Sequence, residues 1–268
     1  MRRLVLMLAA VLLLVTSTHV VPAQASGQAD WLDTSSVNRG VISIAYNVQA
    51  NVKTKLMIVK GNDKYTYNLP AERKGESLPL QLGNGDYTVT LLEHTTGNKY
   101  KVVKEQRIQL SMKDPNQVYL NSIQNISWTS TSNAVIKAKE LTKNKKTTEE
   151  KVKAVYDYII SNVKYDTQLA ADLPLDYLPN IDRTFKTNKD VCYGYASLFA
   201  AMLRSLDIPT KLVMGDTSLV DVYHAWNEVY LDGEWVTIDT TVDAALKQAK
   251  GKIQFIKNAS DYSMSRQY

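Results

Sequence analysis

Apolar and polar positions alternate with period two through much of the first 112 residues. Ile42, Ile44, Tyr46 and Val48 interleave with Ser43, Ala45, Asn47 and Gln49, the pattern of a half-buried strand. KLMIVK and KYTYNL flank Gly61-Asn62-Asp63, which reads as a hairpin. Leu78, Leu80 and Leu82 alternate again. Gly83-Asn84-Gly85-Asp86 then turns the chain into YTVTLLEH, and Gly97-Asn98 turns it into KYKVVKEQRIQL. About six or seven short strands with turns between them predict a small antiparallel sandwich of immunoglobulin-like type.

The period changes after Asp114-Pro115. A helix is expected over residues 132–143. A second begins at Thr147, which forms a capping box with Glu150, and Val152, Val155, Tyr156, Ile159, Ile160 and Val163 recur at helical spacing. Residues 167–189, broken at Pro174 and Pro179, predict a long irregular loop. A third helix starts near Cys192 with Asp190 at its N-cap position. It carries the stripe Tyr195, Leu198, Phe199, Met202, Leu203 and Leu206, and ends at Ile208-Pro209. TKLVMG, VYHAWNEVYL and EWVTID read as three strands. Helices followed by strands make the second half α+β.

The start of the chain reads as a targeting signal. Arg2 and Arg3 precede an unbroken apolar run, Leu4 to Val15, and Ala23-Gln24-Ala25 supplies a cleavage pattern. The run is shorter than the ~20 residues a membrane-spanning helix needs. Cleavage after Ala25 is expected, with a retained anchor as the alternative. The organisation is therefore a signal peptide (1–25), a β-sandwich (26–112) and an α+β domain (113–268), secreted or held in the cell envelope. Without Arg2 and Arg3, 30 basic residues face 27 acidic ones, a net charge of +3. That balance does not predict nucleic-acid binding, although weak attraction to an anionic cell wall is compatible with it.

Cys192 is the single cysteine, so no internal disulfide can form. Such a thiol pairs between molecules, stays free and reactive, or is a small buried hydrophobe. At a helix start, backbone amides and the helix dipole favour the thiolate, the nucleophilic form. Asp232-Gly233 between two apolar-rich strands predicts a type I′ turn. Pairing Leu231 with Glu234 then pairs Tyr230 with Trp235, Glu228 with Thr237, Trp226 with Asp239 and His224 with Thr241. His224 and Asp239 become diagonal neighbours on one face, ~7–8 Å apart at Cα. A one-residue slip would place Asp239 among Ala225, Val229, Leu231, Val236 and Ile238, which is costly.

An imidazole beside a thiol can take its proton and return it to a leaving amine. A carboxylate on the other ring nitrogen fixes the tautomer. Structural readings stand beside this one. His224 could be an ordinary satisfied polar residue, Asp239 a strand-end cap, and Trp226 and Trp235 packing residues. Glu228 could be structural or an alternative partner for His224. His94 lies near a turn and reads as a surface residue. The spacing of Cys and His does not make a zinc set, and no phosphate or calcium loop is present. No metal or cofactor is expected.

The stretch DVCYGYASLFAAMLRSLDIPTKLVMG followed by HAWNEVYLDGEWVTIDTT resembles the core of the transglutaminase-like superfamily. Cys192 precedes Gly194, Tyr195 and Ala196, His224 precedes Ala225 and Trp226, and Asp239 follows Trp235, as in that family's pattern. EKVKAVYDYIISNVKYD resembles the segment before the core. The resemblance implies a papain-like fold and thiol acyl chemistry, with Cys192, His224 and Asp239 as the catalytic triad and a thioester intermediate. Its expected substrate is a protein or peptide, resolved by water or by an amine. The Cys192 amide is the expected oxyanion donor, Trp226 the expected wall of the substrate site, and the chain a monomer. Two positions depart from the pattern: Asp190 and Asp207 stand where the family has Gly. An inert envelope-binding or scaffold protein is the competing reading.

Overall fold

The computed structural model describes residues 30–268. The expected signal peptide lies outside the described residues.

Seven strands form the first half: β1 (Leu32–Asp33), β2 (Val41–Ile44), β3 (Thr54–Lys60), β4 (Asp63–Leu69), β5 (Ser77–Pro79), β6 (Gly85–His94) and β7 (Tyr100–Leu110). They make two antiparallel sheets, β1-β2-β5 and β4-β3-β6-β7. The alternation explains which face is covered. Leu56, Ile58, Tyr65, Tyr67, Tyr87, Val89 and Leu91 are all buried and occupy matching positions of the four-stranded sheet. They share one hydrophobic cluster with Leu32, Ile42, Leu78 and Leu80 of the three-stranded sheet. At the entry to β6 the Tyr87 hydroxyl donates to the main-chain oxygens of Leu80 (2.9 Å) and Gly83 (2.7 Å). The expected strand through Tyr46 and Val48 stops at Ile44; both side chains are only partly buried.

A short 3-10 segment, Pro115–Leu120, leads into the second half. There the chain forms α1 (Asn133–Thr142), α2 (Thr148–Asn162), β8 (Lys164–Tyr165), α3 (Thr167–Ala171), α4 (Ile181–Thr187), β9 (Lys189–Asp190) and α5 (Cys192–Arg204). β10 (Thr210–Thr217), β11 (Val220–Leu231), β12 (Glu234–Ile238), α6 (Thr240–Gln248) and β13 (Tyr262–Gln267) follow. The capping box of α2 is present, with Glu150 N donating to Thr147 Oγ1 and the Glu150 carboxylate accepting from Thr147 N. The stretch 167–189 is more ordered than its prolines suggested. Asp166 caps α3, Asn180 caps α4, and β8 pairs with β9 in parallel. α6 and β13 were not expected.

The main sheet of the second half runs β12-β11-β10-β13, all antiparallel. α5 packs on β10 and β11 and is surrounded by α1, α2, α4 and α6. Its long apolar stripe is therefore buried on all sides. Among the described residues no helix is long and apolar enough to cross a membrane.

The two halves are joined by polar bonds as well as by apolar packing: Asn121 Nδ2 donates to the Arg39 main-chain oxygen (3.0 Å) and Gln124 Nε2 to that of Asn68 (2.7 Å), while Arg204 fixes the Tyr268 main chain, whose ring meets the first half. Arg204, at the end of α5, is 1% exposed. Its guanidinium donates at 2.8 Å to the main-chain oxygens of Thr210, Asn121 and Tyr268. Burial pulls its pKa down, but a guanidinium stays protonated at neutral pH. Tyr268 stands edge-on to Tyr65 and Tyr67, with ring centroids 5.7 and 6.2 Å away. Arg204→Met would take a donor from three main-chain oxygens, of which that of Tyr268 keeps Leu212 N at 3.0 Å, so a loss of roughly 2 kcal/mol or more is expected in urea unfolding; an unchanged midpoint and slope would contradict this account of the joint.

Candidate active site

Cys192 is the first residue of α5. Val191, not Asp190, occupies the N-cap position, and no side chain caps the helix. The amides of the first turn are thus not consumed by a capping group, and they face the thiol's end of the helix. Asp190 does something different. Its carboxylate is fully buried and accepts from Tyr177 Oη (2.6 Å), Arg183 Nη2 (2.7 Å), Thr184 Oγ1 (2.5 Å) and Val191 N (2.8 Å). It ties the segment before Cys192 to α4. Gly194 lies against it, and a Cβ there would overlap the Asp190 carboxyl. The Gly two residues after the thiol is therefore required by the Asp two residues before it. Asp207, the other departure, has φ +60°, the left-handed backbone for which Gly is the easiest residue.

The hairpin that carries His224 follows the expected register. Leu231 pairs with Glu234, Tyr230 with Trp235, Val229 with Val236 and Glu228 with Thr237. Asp232 (φ +49°) and Gly233 (φ +93°) both have the positive φ that a type I′ turn needs. The pairing ends at Asn227 and Ile238, so Thr241 does not face His224. Asp239 leaves the strand and becomes the N-cap of α6, its Oδ1 accepting from Thr241 N (3.1 Å) and Val242 N (3.0 Å). Its other oxygen, Oδ2, lies 2.8 Å from His224 Nε2. Both side chains are buried, at 3% and 0% exposure.

With Nε2 committed to Asp239, Nδ1 is the nitrogen left for Cys192, whose side chain also interacts with the ring. Burial pushes the His224 pKa down. Hydrogen bonds to Asp239 and Cys192, with their negative charges, outweigh it and lift the value to about 10. Glu228 is not an alternative partner, since it pairs with Lys211 at 2.8 Å. His94 is half-buried and bonds the Gly97 oxygen.

Trp226 requires a correction. It was expected to wall the substrate site, but it is 2% exposed and presents no surface for a substrate. Its indole is stacked 6.4 Å from the His224 ring and tilted 4.9 Å from Tyr262. It packs behind the imidazole. Asn227 is fully buried and donates to the main-chain oxygens of Ala196 and Lys211, both at 3.0 Å. It pins β11 to α5 one turn beyond the thiol.

Sequence reasoning missed Tyr262, whose hydroxyl donates to Asp239 Oδ2 at 3.1 Å. It also missed the group behind it, where Asp243 accepts from Tyr156 (2.7 Å) and pairs with Lys257 (2.5 Å). A polar cleft of about 470 Å³ opens between the β5 approach and the segment before α4, lined by Glu72, Arg73, Glu76, Gln124, Asn180 and Asp182. It is separate from the Cys192, His224 and Asp239 side chains.

Residues 137–240 match the model of the Transglutaminase-like superfamily. The mouse kyphoscoliosis peptidase (Mus musculus) is 31% identical over 122 residues, 41% of this chain and 18% of its own length. The human kyphoscoliosis peptidase (Homo sapiens) is 26% identical over 203 residues, 71% of this chain and 29% of its own length. The chain thus spans less than a third of these relatives. A candidate cysteine protease of known structure from Cytophaga hutchinsonii is 16% identical, covering 81% of this chain and 85% of that one, with a TM-score of 0.42.

The raised His224 pKa has a consequence for stability. The unfolded ring has its ordinary value of 6.5 and the folded ring one of about 10. The charged interaction therefore stabilises the fold fully below pH 6.5 and loses that contribution as pH rises through 10. Urea unfolding of wild type and His224→Gln is expected to show an advantage for wild type that shrinks between pH 6.5 and 10. A constant difference would mean that the folded imidazole is not held charged.

Proposed function

We propose that the chain is an exported thiol enzyme that attacks protein or peptide amide bonds through Cys192, His224 and Asp239. The observation that carries this is the shared imidazole, with Nε2 on Asp239 and the Cys192 thiol, at an uncapped helix start, interacting with the same ring. In this reading the thiolate adds to the amide carbonyl, and the Cys192 amide donates to the oxyanion. The imidazolium then protonates the leaving amine as the carbon–nitrogen bond breaks, leaving a thioester. Neutral His224 next deprotonates water, which cleaves the thioester and frees a carboxylic acid. Transfer to an amine uses the same residues. Hydrolysis is the outcome we favour, because the mouse and human relatives are named peptidases.

Export rests on the N-terminal signal pattern. An immunoglobulin-like assignment of the β module, with the boundary near residue 112, is supported by its strand order and by Tyr87, which bonds back to the turn before its own strand.

Alkylation of the thiol tests the mechanism before any substrate is known. At pH 6 to 7 the wild-type thiol is expected to react faster than free cysteine, and His224→Ala to lose that advantage. Cys192→Ala should abolish amide cleavage while the protein stays folded, and Asp239→Asn should weaken it less. A slow thiol indifferent to His224→Ala would leave the inert-scaffold reading standing.

A further inference from the structure

Asp239 Oδ2 serves two donors. His224 Nε2 lies 2.8 Å away and Tyr262 Oη 3.1 Å away. Tyr262 is the first residue of β13, beyond the segment that matches the family model. The backbone brings it there for a local reason. β13 pairs with β10 through an irregularity at Met214/Gly215, and a Cβ at Gly215 would overlap the Ser263 main-chain oxygen. Gly215 therefore lets the last strand close against β10 directly opposite His224, its partner on β11. The Tyr262 ring then reaches Trp226, whose other neighbour is the imidazole.

From these contacts we propose that Tyr262 is a positioning residue of the thiol site. Its hydroxyl draws charge from Asp239 Oδ2 and so limits how tightly the carboxylate holds the imidazolium, while its ring holds Trp226 against His224. The inference rests on the reading of Cys192, His224 and Asp239 as a triad. The ionisable groups that face His224 are Cys192 from α5 and Asp239 from the start of α6, with Tyr262 from β13 acting through Asp239. Asp243, with Lys257 and Tyr156, lies one turn further along α6. Burial and the adjacent Asp239 charge raise the Tyr262 pKa, so the phenol keeps its proton and remains a donor throughout the working range.

The chemical effect follows from competition. Oδ1 is already fixed by two main-chain amides, so the carboxylate does not need Tyr262 merely to stay in place. Removing the hydroxyl leaves Oδ2 to His224 alone. The imidazolium becomes more stable and gives up its proton less readily. Both the transfer to the leaving amine and the return to a neutral base become harder. Tyr262→Phe is therefore expected to lower kcat by about tenfold with little change in KM.

The chain has three histidines, so ring resonances of nitrogen-15-labelled histidine can be followed singly, with His224→Ala giving the assignment. Cys192→Ala is used as the parent, because removing the thiol brings the His224 midpoint down into an accessible range. In that parent, Tyr262→Phe is expected to raise the midpoint by about 0.5–1 pH unit. A shift below about 0.2 unit, or a downward one, would overturn the proposal. Trp226→Phe in the same parent changes the packing but keeps the hydroxyl, and its midpoint should stay put. A shift as large as that of Tyr262→Phe would show packing, not donation, to be the cause, and would also overturn it. The triad is read separately. If His224 titrates alike with and without the Cys192 thiol, the thiol–imidazole pairing fails, whatever Tyr262→Phe does.

Discussion

The Asp239 carboxylate is the point on which the rest of the site hangs. Oδ1 terminates a helix by taking two of its orphan amides, and Oδ2 takes the imidazole and the Tyr262 phenol. A buried carboxylate is tolerable only if its lone pairs are satisfied, and here four donors from three parts of the chain do so. Three of the four are fixed by the fold itself: two by the start of α6 and one by the register of β13. The imidazole is then oriented by a group that cannot turn away. This is why the strand must end at Ile238. Had β12 continued, Asp239 would lack its amide partners and its carboxylate could rotate.

A second constraint sets the other half of the pair. α5 is buried from Gly194 to Arg204, so its position is governed by packing, but its first turn needs an anchor that leaves the amides near the thiol uncapped. Asp190 provides it from one residue before the N-cap. It binds Tyr177, Arg183 and Thr184 rather than the helix amides. The demand for space at Gly194 follows from the same arrangement. Asn227 adds a bond from β11 to Ala196. The distance between thiol and imidazole is thereby set by elements that do not themselves take part in chemistry.

Much of this was legible in the residue pattern, and the misses have physical causes. The Asp232-Gly233 turn and the apolar alternation around it fix the β11–β12 register, which brought His224 and Asp239 together correctly. The alternation could not say where the strand stops. Asp239 is compatible both with a strand end and with an N-cap, and only the amides of Thr241 and Val242 decide. Trp226 misled because an aromatic next to a catalytic candidate suggests a surface, whereas both faces of the sheet are covered at that point. β13 was invisible because its sequence, YSMSRQ, carries almost no buried apolar face. A strand held at an edge by main-chain bonds leaves little periodicity to read. The helices at 167–171 and 181–187 were obscured by Pro174 and Pro179, although Asp166 and Asn180 sit where N-caps belong.

The same edge strand explains why the β module is packed onto the core rather than tethered to it. β13 has too little apolar side-chain surface to stay docked on its own account. Its far end is held from the other half of the protein. Gln267 N donates to Tyr65 Oη at 3.2 Å, the Gln267 main-chain oxygen accepts from Gln81 Nε2 at 3.3 Å, and Tyr268 sits edge-on to Tyr65 and Tyr67. Arg204 fastens the Tyr268 main chain to the end of α5, the helix whose first residue is the thiol. One strand of six residues thus spans from the β module at Gln267 to the Asp239 carboxylate at Tyr262. Loosening the module would loosen the phenol before it disturbed the imidazole, because His224 lies on an interior strand and Tyr262 on an edge one. The order in which the site comes apart is therefore written into the sheet, from its outermost strand inward.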